Sequence, residues 1–547
     1  MTSLLGLIVG LFVTMVLIPP LASVSGILRL VDQPNARKVH ADPIPRVGGI
    51  AIFVGILLPL LIWAQLDRSG LFYLIGGGLI VLLGIVDDRY NLEFKWKFCG
   101  QVVAILVAML GGVHLQILPF CGLDPVTPWV TYPLSFLFIL GVTNAMNLSD
   151  GLDGLAGGVS MLSLAGLGVI AYAAGGLTLY LGAAALIGAI LGFLRFNAHP
   201  AVVFMGDAGS QFLGFTLAYM AIVLTSNVNP ALNPILPLFL IGLPLLDTLS
   251  VIIIRLRHRG SPFKPDKRHF HHRLLAIGFR HYEAVAIIYA VQALAVALGF
   301  LIEYQSDALA AAVFLVFATL VYGLLYAAEV KAVRIHAAVA PAPAGDAAPV
   351  FVERRNTLLR RFEWLPMATA YYVQFGVSLI LLGGALIDKP PSRDIAMVAA
   401  GIAAMMVFAH FFLHPWTRLF TRLGVYALSL FVVFLVAPVT TFDATLDWGV
   451  NAYLFVLGCV LALAIRLTRR ETFQMTPQDL LVLFFVLAVP NIPFEAVPGY
   501  PIGSLAVRAA LIFYACEFVM SRSRLSFRFL RIAGFVGLCV LGFRGLV

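Results

Sequence analysis

The sequence has few charged residues and few cysteines for its length. Only 12% of its 547 residues are charged, whereas 61% are hydrophobic, which is far more apolar surface than the core of one soluble domain requires. The five cysteines lie far apart and form no C-x-x-C pair, which argues against a disulfide framework and a thiolate metal site. The composition therefore predicts an all-α polytopic membrane protein.

No small-residue cleavage site follows the first apolar run, which we therefore interpret as a retained helix and not as a removed signal peptide. Apolar runs of about 20 residues predict about eleven transmembrane helices before residue 330 and about seven after residue 366. An Ala/Pro-containing, basic stretch separates the two regions. We therefore predict a membrane domain at 1–330, a cytoplasmic linker at 331–365 and a second transmembrane bundle of unknown role at 366–547.

The positive charge is unevenly distributed along the chain. The formal net charge is +9, and if alternate connections lie on alternate sides of a bilayer, 31 of the 36 Lys and Arg residues fall on one side. The positive-inside rule makes that side cytoplasmic and places the N-terminus outside. The lipid bilayer thus accounts for the charge, and we expect no nucleic-acid partner.

Oxygen-bearing side chains recur every third residue between two apolar runs, at Asn144, Asn147, Asp150 and Asp153. If this stretch is helical, the four side chains share one face. Carboxylates near hydrocarbon are costly unless they meet a cation or an aqueous cavity, so the stretch is a candidate site. The alternative is a helix cap at Asp150 combined with packing of small residues.

Two further segments carry charge at the ends of apolar runs. The loop from Asp32 to Gly49 contains Lys38 and Arg46, which either bind an anionic ligand or are ordinary flanking charges. Asp87 and Asp88 end the third run. Neighbouring helix positions point about 100° apart, so two adjacent acids can have two roles, although a solvated helix end is the alternative.

Two later segments suit phosphate groups. Phe204-Met-Gly-Asp207-x-Gly-Ser sets one carboxylate beside glycines at a helix start, where free N–H groups favour anions. No Gly-Lys-Ser/Thr loop is present, so metal and basic side chains would have to hold phosphate. His269, His271 and His272 could bind zinc, but their strongly cationic surroundings favour pyrophosphate.

These motifs, together with Ser261-Pro-Phe-x-Pro-Asp-x-x-His-Phe-His-His, resemble the polyprenyl-phosphate N-acetylhexosamine-1-phosphate transferases, the MraY/WecA-like family. The His-Phe-His-His tail and the first loop are closer to the WecA branch. The resemblance covers roughly residues 1–330, in the family's motif order, and does not extend to residues 331–547.

The resemblance implies that a UDP-linked N-acetylhexosamine, here N-acetylglucosamine, donates its sugar 1-phosphate to undecaprenyl phosphate or another polyprenyl phosphate. UMP would be released, and lipid-linked cell-envelope glycan synthesis, such as that of O-antigen, would begin. The implied cofactor is Mg²⁺, with Mn²⁺ as an alternative, and the implied location is the cytoplasmic face of a bacterial inner membrane. Another UDP-HexNAc donor, a MurNAc-pentapeptide donor and a homodimer stay open. A lipid-linked glycan flippase is the alternative class. A transporter needs charged residues near mid-membrane, whereas Asp87, Asp150, Asp207 and His269 fall at the cytoplasmic ends of the apolar runs.

The resemblance also implies roles for individual residues. Asp207 is expected to be the principal metal ligand, with Asp87 and Asp150 as further ligands, and Asp87 or Asp88 to deprotonate or orient the lipid phosphate. His269, His271 and His272 complete the expected catalytic set by holding phosphates. The residues expected to bind substrate are Asn144, Asn147, Asp150, Gly151, Leu152, Asp153, Asn197, Phe204, Lys38, Arg46 and Arg268.

Overall fold

The computed structural model of the chain describes residues 2–33, 43–122, 125–257, 268–330, 364–386, 390–412, 417–435, 444–468, 502–521 and 528–546. Within these ranges the elements are helices, apart from one two-stranded ladder. The predicted all-α polytopic class is confirmed, with 11 described helices that are long and apolar enough to cross a membrane.

The first compact unit contains thirteen α-helices within the described residues, and eight of them meet this length and hydropathy requirement. The three helices Gly48–Trp63, Phe94–Met109 and Gly242–Arg257 have sixteen residues each and fall short of this length, so the eleven transmembrane helices expected are reached only if these three are counted. The helices are α1 (Thr2–Leu28), α2 (Gly48–Trp63), α3 (Arg68–Tyr90), α4 (Phe94–Met109), α5 (Pro128–Ser149), α6 (Leu155–Ala173), α7 (Leu177–Asn197), α8 (Gly206–Val223, followed by a π-helical turn Leu224–Val228), α9 (Leu236–Leu240), α10 (Gly242–Arg257), α11 (Phe270–Ile277), α12 (His281–Ile302) and α13 (Asp307–Val330).

Helix α8 is the central element of this unit. It packs against α2, α3, α5 and α6, and 94% of its apolar window is buried, compared with 17% for α13. The backbone at the start of α8 touches the backbones of α3 and α2. A Cβ atom at Gly84 of α3 would lie 2.2 Å from Ala208 Cα, and one at Gly49 of α2 would lie 2.2 Å from Gly209 N. Only glycine permits this approach, which fixes the first turn of α8 between α2 and α3.

A short ladder ties the first loop to the segment before α8. Strand β1 (Val31–Asp32) pairs antiparallel with β2 (Ile44–Pro45). The Phe204 N–H then donates to the Pro45 carbonyl at 2.8 Å, and the Gly48 N–H donates to the Phe204 carbonyl at 3.0 Å. Arg46 is therefore held beside the start of α8, whereas Lys38 lies outside the described residues.

The second unit contains six helices within its described residues, and the rest of the roughly seven expected falls outside them. In the helix Ile502–Ser521, Arg508 donates to Asn451 at 3.1 Å. Glu517 of the same helix accepts from Tyr426 and lies 3.6 Å from Arg422. These two charged residues thus have partners on different helices, as their nine-residue spacing predicts. The helices are α14 (Leu365–Ala385), α15 (Arg393–Phe412), α16 (Thr417–Leu435), α17 (Ala444–Thr468), α18 (Ile502–Ser521) and α19 (Arg528–Leu546).

Candidate active site

Carboxylates from two helices meet at one end of the first unit. Asp87, near the end of α3, and Asp207, at the start of α8, both contact Lys97 in the first turn of α4. The Lys97 Nζ lies 2.5 Å from Asp87 Oδ2 and 3.3 Å from Asp207 Oδ2. Two carboxylates this close repel each other unless a cation lies between them, and Lys97 supplies that charge.

Asp88 has different partners from its neighbour Asp87. It accepts the backbone N–H groups of Asp207 at 3.2 Å and of Ala208 at 3.3 Å, and so caps the start of α8. Arg46 donates to the same carboxylate at 3.2 Å and also pairs with Asp32. Burial lowers the pKa of Arg46, but the two carboxylates outweigh it and the net shift is upward.

Asp207 is the most accessible carboxylate of this group. Its side chain is 31% exposed, compared with 1% for Asp87 and 1% for Asp88. Asn147, in the last turn of α5, donates to Asp207 Oδ1 at 3.1 Å and to Ser210 Oγ at 2.8 Å. These bonds fix the orientation of Asp207 and leave its exposed side open to a ligand.

Asn144 lies one helical turn further from the end of α5 than Asn147. It donates to Gln101 of α4 at 3.0 Å, and Gln101 donates to Gln211 of α8 at 2.9 Å. We call Gln101, Asn144 and Gln211 the amide layer. Asn144 donates its amide hydrogens to Gln101 and to the Leu140 carbonyl. The expected contact between Asn144 and substrate stays a prediction.

The loop between α5 and α6 differs from the helical expectation. Helix α5 ends at Ser149, and Asp150 is its C-cap, so the single stacked face predicted through Asp153 is wrong beyond the helix end. Burial raises the pKa of Asp150 to about 7, and the charges of Asp207 and Asp88 add to this. Asp150 therefore belongs to the same electrostatic group as the carboxylates of α3 and α8.

Buried hydrogen bonds hold the α5–α6 loop in place. The Asn197 side chain accepts the Gly154 N–H at 2.8 Å and donates to the Val203 carbonyl at 2.9 Å. The Tyr289 hydroxyl of α12 donates to the Gly154 carbonyl at 2.6 Å. Asn197 is 4% exposed and links the loop to the segment that carries Phe204. This places it as a positioning group.

Asp153, at the far end of the same loop, faces the connection between α7 and α8. Its Oδ2 lies 2.7 Å from His199 Nδ1 and accepts the Ala201 N–H at 3.2 Å. Leu152, beside it, is half-buried. The expected substrate-binding roles of Asp153 and Leu152 stay predictions.

Residues His269–His272, which we call the histidine segment, lie at the start of α11 and at the same end of the unit. The His269 Nδ1 lies 2.9 Å from Asp247 Oδ2, and the Phe270 N–H donates to Asp247 Oδ1 at 2.8 Å. Asp247 thus fixes both the ring of His269 and the start of α11. Arg268, just before this helix, is exposed.

His271 packs directly on Gly151 of the α5–α6 loop. A Cβ atom at Gly151 would lie 2.3 Å from His271 Nε2, so any larger residue would displace the ring. Burial lowers the pKa of His271 to about 3, and the neighbouring charges of His272 and His269 lower it further. His271 is therefore neutral in the free protein and lies between the histidine segment and the loop that carries Asp150.

Sequence reasoning missed Lys97 and the orienting role of Asp247 as parts of this site. Lys97 is one of the 31 basic residues that the sequence assigns to the cytoplasmic side. A cation at a helix N-terminus opposes the helix dipole, and this suggests carboxylate partners. Asp247 stands near the end of an apolar run, where an acid also suggests a partner. Nothing in their spacing identifies those partners.

Comparison with known proteins adds independent evidence. A family model described as glycosyl transferase family 4 matches residues 71–225, the segment that carries Asp87, Asp88, Asp150 and Asp207. A probable undecaprenyl-phosphate N-acetylglucosaminyl 1-phosphate transferase of Bacillus subtilis is 36% identical over 289 residues, which is 52% of this chain and 80% of the relative. Undecaprenyl-phosphate alpha-N-acetylglucosaminyl 1-phosphate transferases of Yersinia pestis and Escherichia coli K12 are each 35% identical, over 49% and 50% of this chain and 76% and 77% of the relatives.

A polytopic helical unit that collects carboxylates, basic side chains and histidines at one end defines, with these matches, a membrane phosphoglycosyltransferase. The chain belongs to glycosyl transferase family 4, among the MraY/WecA-like polyprenyl-phosphate N-acetylhexosamine-1-phosphate transferases. The family predicted from the motifs is thereby confirmed.

Proposed function

We propose that the protein transfers N-acetylglucosamine 1-phosphate from UDP-N-acetylglucosamine to undecaprenyl phosphate and releases UMP. The observation that carries this proposal is the group of Asp87, Asp88 and Asp207 around Lys97, with only Asp207 open to solvent. The names of the relatives support the acceptor and the sugar. The reaction brings a phosphate nucleophile to a pyrophosphate, and these two anions repel unless cationic groups neutralise them.

Mg²⁺ fits the residues of this site. The donors facing one another are carboxylate oxygens, which Mg²⁺ prefers, and the Lys97 ammonium lies between Asp87 and Asp207 as a cation there would. Asp207 would hold the ion, with Asp87 and Asp150 nearby, and Mn²⁺ suits the same oxygen donors. When bound, the ion would neutralise charge that develops on the pyrophosphate.

The two adjacent acids are equally buried but have different partners. Both oxygens of Asp88 already accept bonds from the start of α8. Asp87 Oδ2 faces Lys97 and the accessible Asp207. Asp87 is therefore the better candidate to orient or deprotonate the acceptor phosphate. Arg46, Arg268 and the three histidines would then hold the remaining phosphate charge.

The active site would face the cytoplasm. The ends of α3, α5 and α7 lie beside the starts of α4, α6 and α8, and this is the end that carries the basic connections. For a bacterial chain the membrane is then the inner membrane. Charged groups collected at helix ends, and not near mid-membrane, favour an enzyme over a flippase.

The donor is tested by measuring UMP release. Purified full-length protein with undecaprenyl phosphate and Mg²⁺ should release UMP from UDP-N-acetylglucosamine, with at least about 100-fold lower kcat/KM for UDP-MurNAc-pentapeptide. The histidine segment resembles the branch that uses small donors, which is the reason for this expectation. UDP-glucose, which lacks the N-acetyl group, is the matched control. Equal turnover of the pentapeptide donor would contradict the assignment.

Residues 1–335 should keep the transferase chemistry when expressed alone. The motifs all precede residue 330, and the described site residues belong to the first unit. We expect UMP release within about tenfold of the full-length rate, since a changed bilayer contact can affect stability without altering the site. A folded core that releases no UMP would mean that the second region completes the site.

A further inference from the structure

A second cluster of ligating side chains lies beside the transferase site. The ligand atoms of Asp153, His199 and His281 all lie within 4.8 Å of one another. These residues come from the α5–α6 loop, the α7–α8 connection and the first position of α12. The side chains of Asp153 and His199 are 20% and 46% exposed, so an ion can reach the cluster from solvent.

The imidazole of His281 is incompletely satisfied. Its Nδ1 is buried and has no hydrogen-bond partner among the described residues. A buried polar atom without a partner costs about 1–3 kcal/mol, and such an atom in a native structure calls for a ligand or an ion. The His281 ring also stacks on His199, with centroids 4.1 Å apart and planes at 18°. The stacking holds the two rings nearly parallel, and one nitrogen of each ring lies within 4.8 Å of the other and of an Asp153 carboxylate oxygen.

We propose that Asp153, His199 and His281 form a site for a divalent transition-metal ion of the Zn²⁺, Co²⁺ or Fe²⁺ class. Two imidazoles and one carboxylate are the donors such ions select, whereas Mg²⁺ prefers an all-oxygen set. The carboxylate offsets part of the ion's charge, and water fills the remaining position, as in zinc sites with three protein ligands. The ion takes the place of the direct contact between His199 Nδ1 and Asp153 Oδ2. This site is separate from the proposed Mg²⁺ site at Asp207.

The ion adds a link among three elements that hydrogen bonds through Gly154 and Asn197 already join. His199 follows Asn197 by two residues and precedes Phe204 by five, so it lies on the segment that leads to the accessible carboxylate. Asp153 lies three residues after Asp150 on the facing loop. A metal bridge to α12 would hold both segments at a fixed distance. The role is structural and involves no redox step.

Cobalt alone is the probe that tests this site, without any substrate. Full-length protein in detergent, stripped with chelator, is titrated with Co²⁺ in the presence of millimolar Mg²⁺. We expect one equivalent to bind with visible d–d absorption, and at least about 100-fold weaker binding in His199→Ala and in His281→Ala. His114→Ala is the matched control, because His114 contacts Gly112 and Tyr132 at the other end of the unit.

A second variant distinguishes a lost ligand from a lost fold. His199→Cys supplies a thiolate at the same point, so it should retain Co²⁺ and add a near-ultraviolet charge-transfer band relative to wild type. Several results would overturn the proposal: no d–d bands in the wild-type protein, equal loss in His114→Ala, or a His199→Cys spectrum identical to that of His199→Ala. Displacement of Co²⁺ by millimolar Mg²⁺ would also overturn it, because it would identify an all-oxygen site.

Discussion

Asp207→Asn lowers kcat/KM for sugar-phosphate transfer by at least about 10³-fold while the protein stays folded in the membrane. The substitution removes the charge of the accessible carboxylate, and with it the principal group proposed to hold Mg²⁺. Asparagine is nearly the same size, and its single amide oxygen can keep the bond from Asn147. The bond from Lys97 to the second oxygen is lost, but the side chain is 31% exposed, so water can reach the amide NH₂ that replaces this oxygen. The loss should therefore appear in turnover and in metal dependence, not in folding.

The measurement is UMP release as a function of Mg²⁺ concentration, with thermal unfolding in detergent recorded alongside. Asp67→Asn is the control, since Asp67 caps the start of α3 by accepting the Gly70 N–H at 2.8 Å, and asparagine caps equally well. Its activity should match wild type. Full wild-type activity in excess EDTA would show that no divalent ion takes part.

Asp87→Asn and Asp88→Asn have different consequences although the residues are adjacent. Asp87→Asn should lower kcat by at least about 10²-fold, because its Oδ2 faces Lys97 beside the accessible Asp207. Asp88→Asn should destabilise the protein by about 1–3 kcal/mol, because an amide NH₂ would then face backbone N–H groups at the start of α8.

The two variants are compared by kcat, KM and unfolding temperature under the same conditions. Asp88→Glu serves as the conservative control, since it keeps the charge opposite Arg46 and should regain part of the stability. Equal and mild losses of kcat in both asparagine variants, with unchanged unfolding temperatures, would contradict distinct roles for the two acids.

The sequence predicted the class of the fold and the end of the helices at which the site lies. Apolar runs of membrane length identify helices, and alternate connections assign their ends to sides, so Asp87 and Asp207 were expected on the same face. The helix start at Gly206 and the helix end just after Asp88 agree with the structure. These features follow from local composition and spacing.

The contacts between helices could not be predicted in the same way. Lys97 and Asp207 are 110 residues apart, and only the packing of α4 and α3 with α8 brings them together. The helical interpretation of the stretch after Ser149 is wrong because Asp150 leaves the helical conformation, with ψ at 55°, and Gly154, with φ at 78°, precedes a new helix. Polar residues can recur every third position in a turn as well as in a helix, so the spacing of Asn144, Asn147, Asp150 and Asp153 does not show where α5 ends.

The amide layer beneath the carboxylates bears on the movement of protons into the helical unit. A cluster of buried acids at the end of membrane helices could begin a proton path that dissipates the transmembrane proton gradient. Gln101, Asn144 and Gln211 close this route one helical turn further in, because their bonds run amide to amide. An amide neither gains nor loses a proton near neutral pH. The amide layer thus separates the carboxylates from the apolar interior of the unit by side chains that do not titrate.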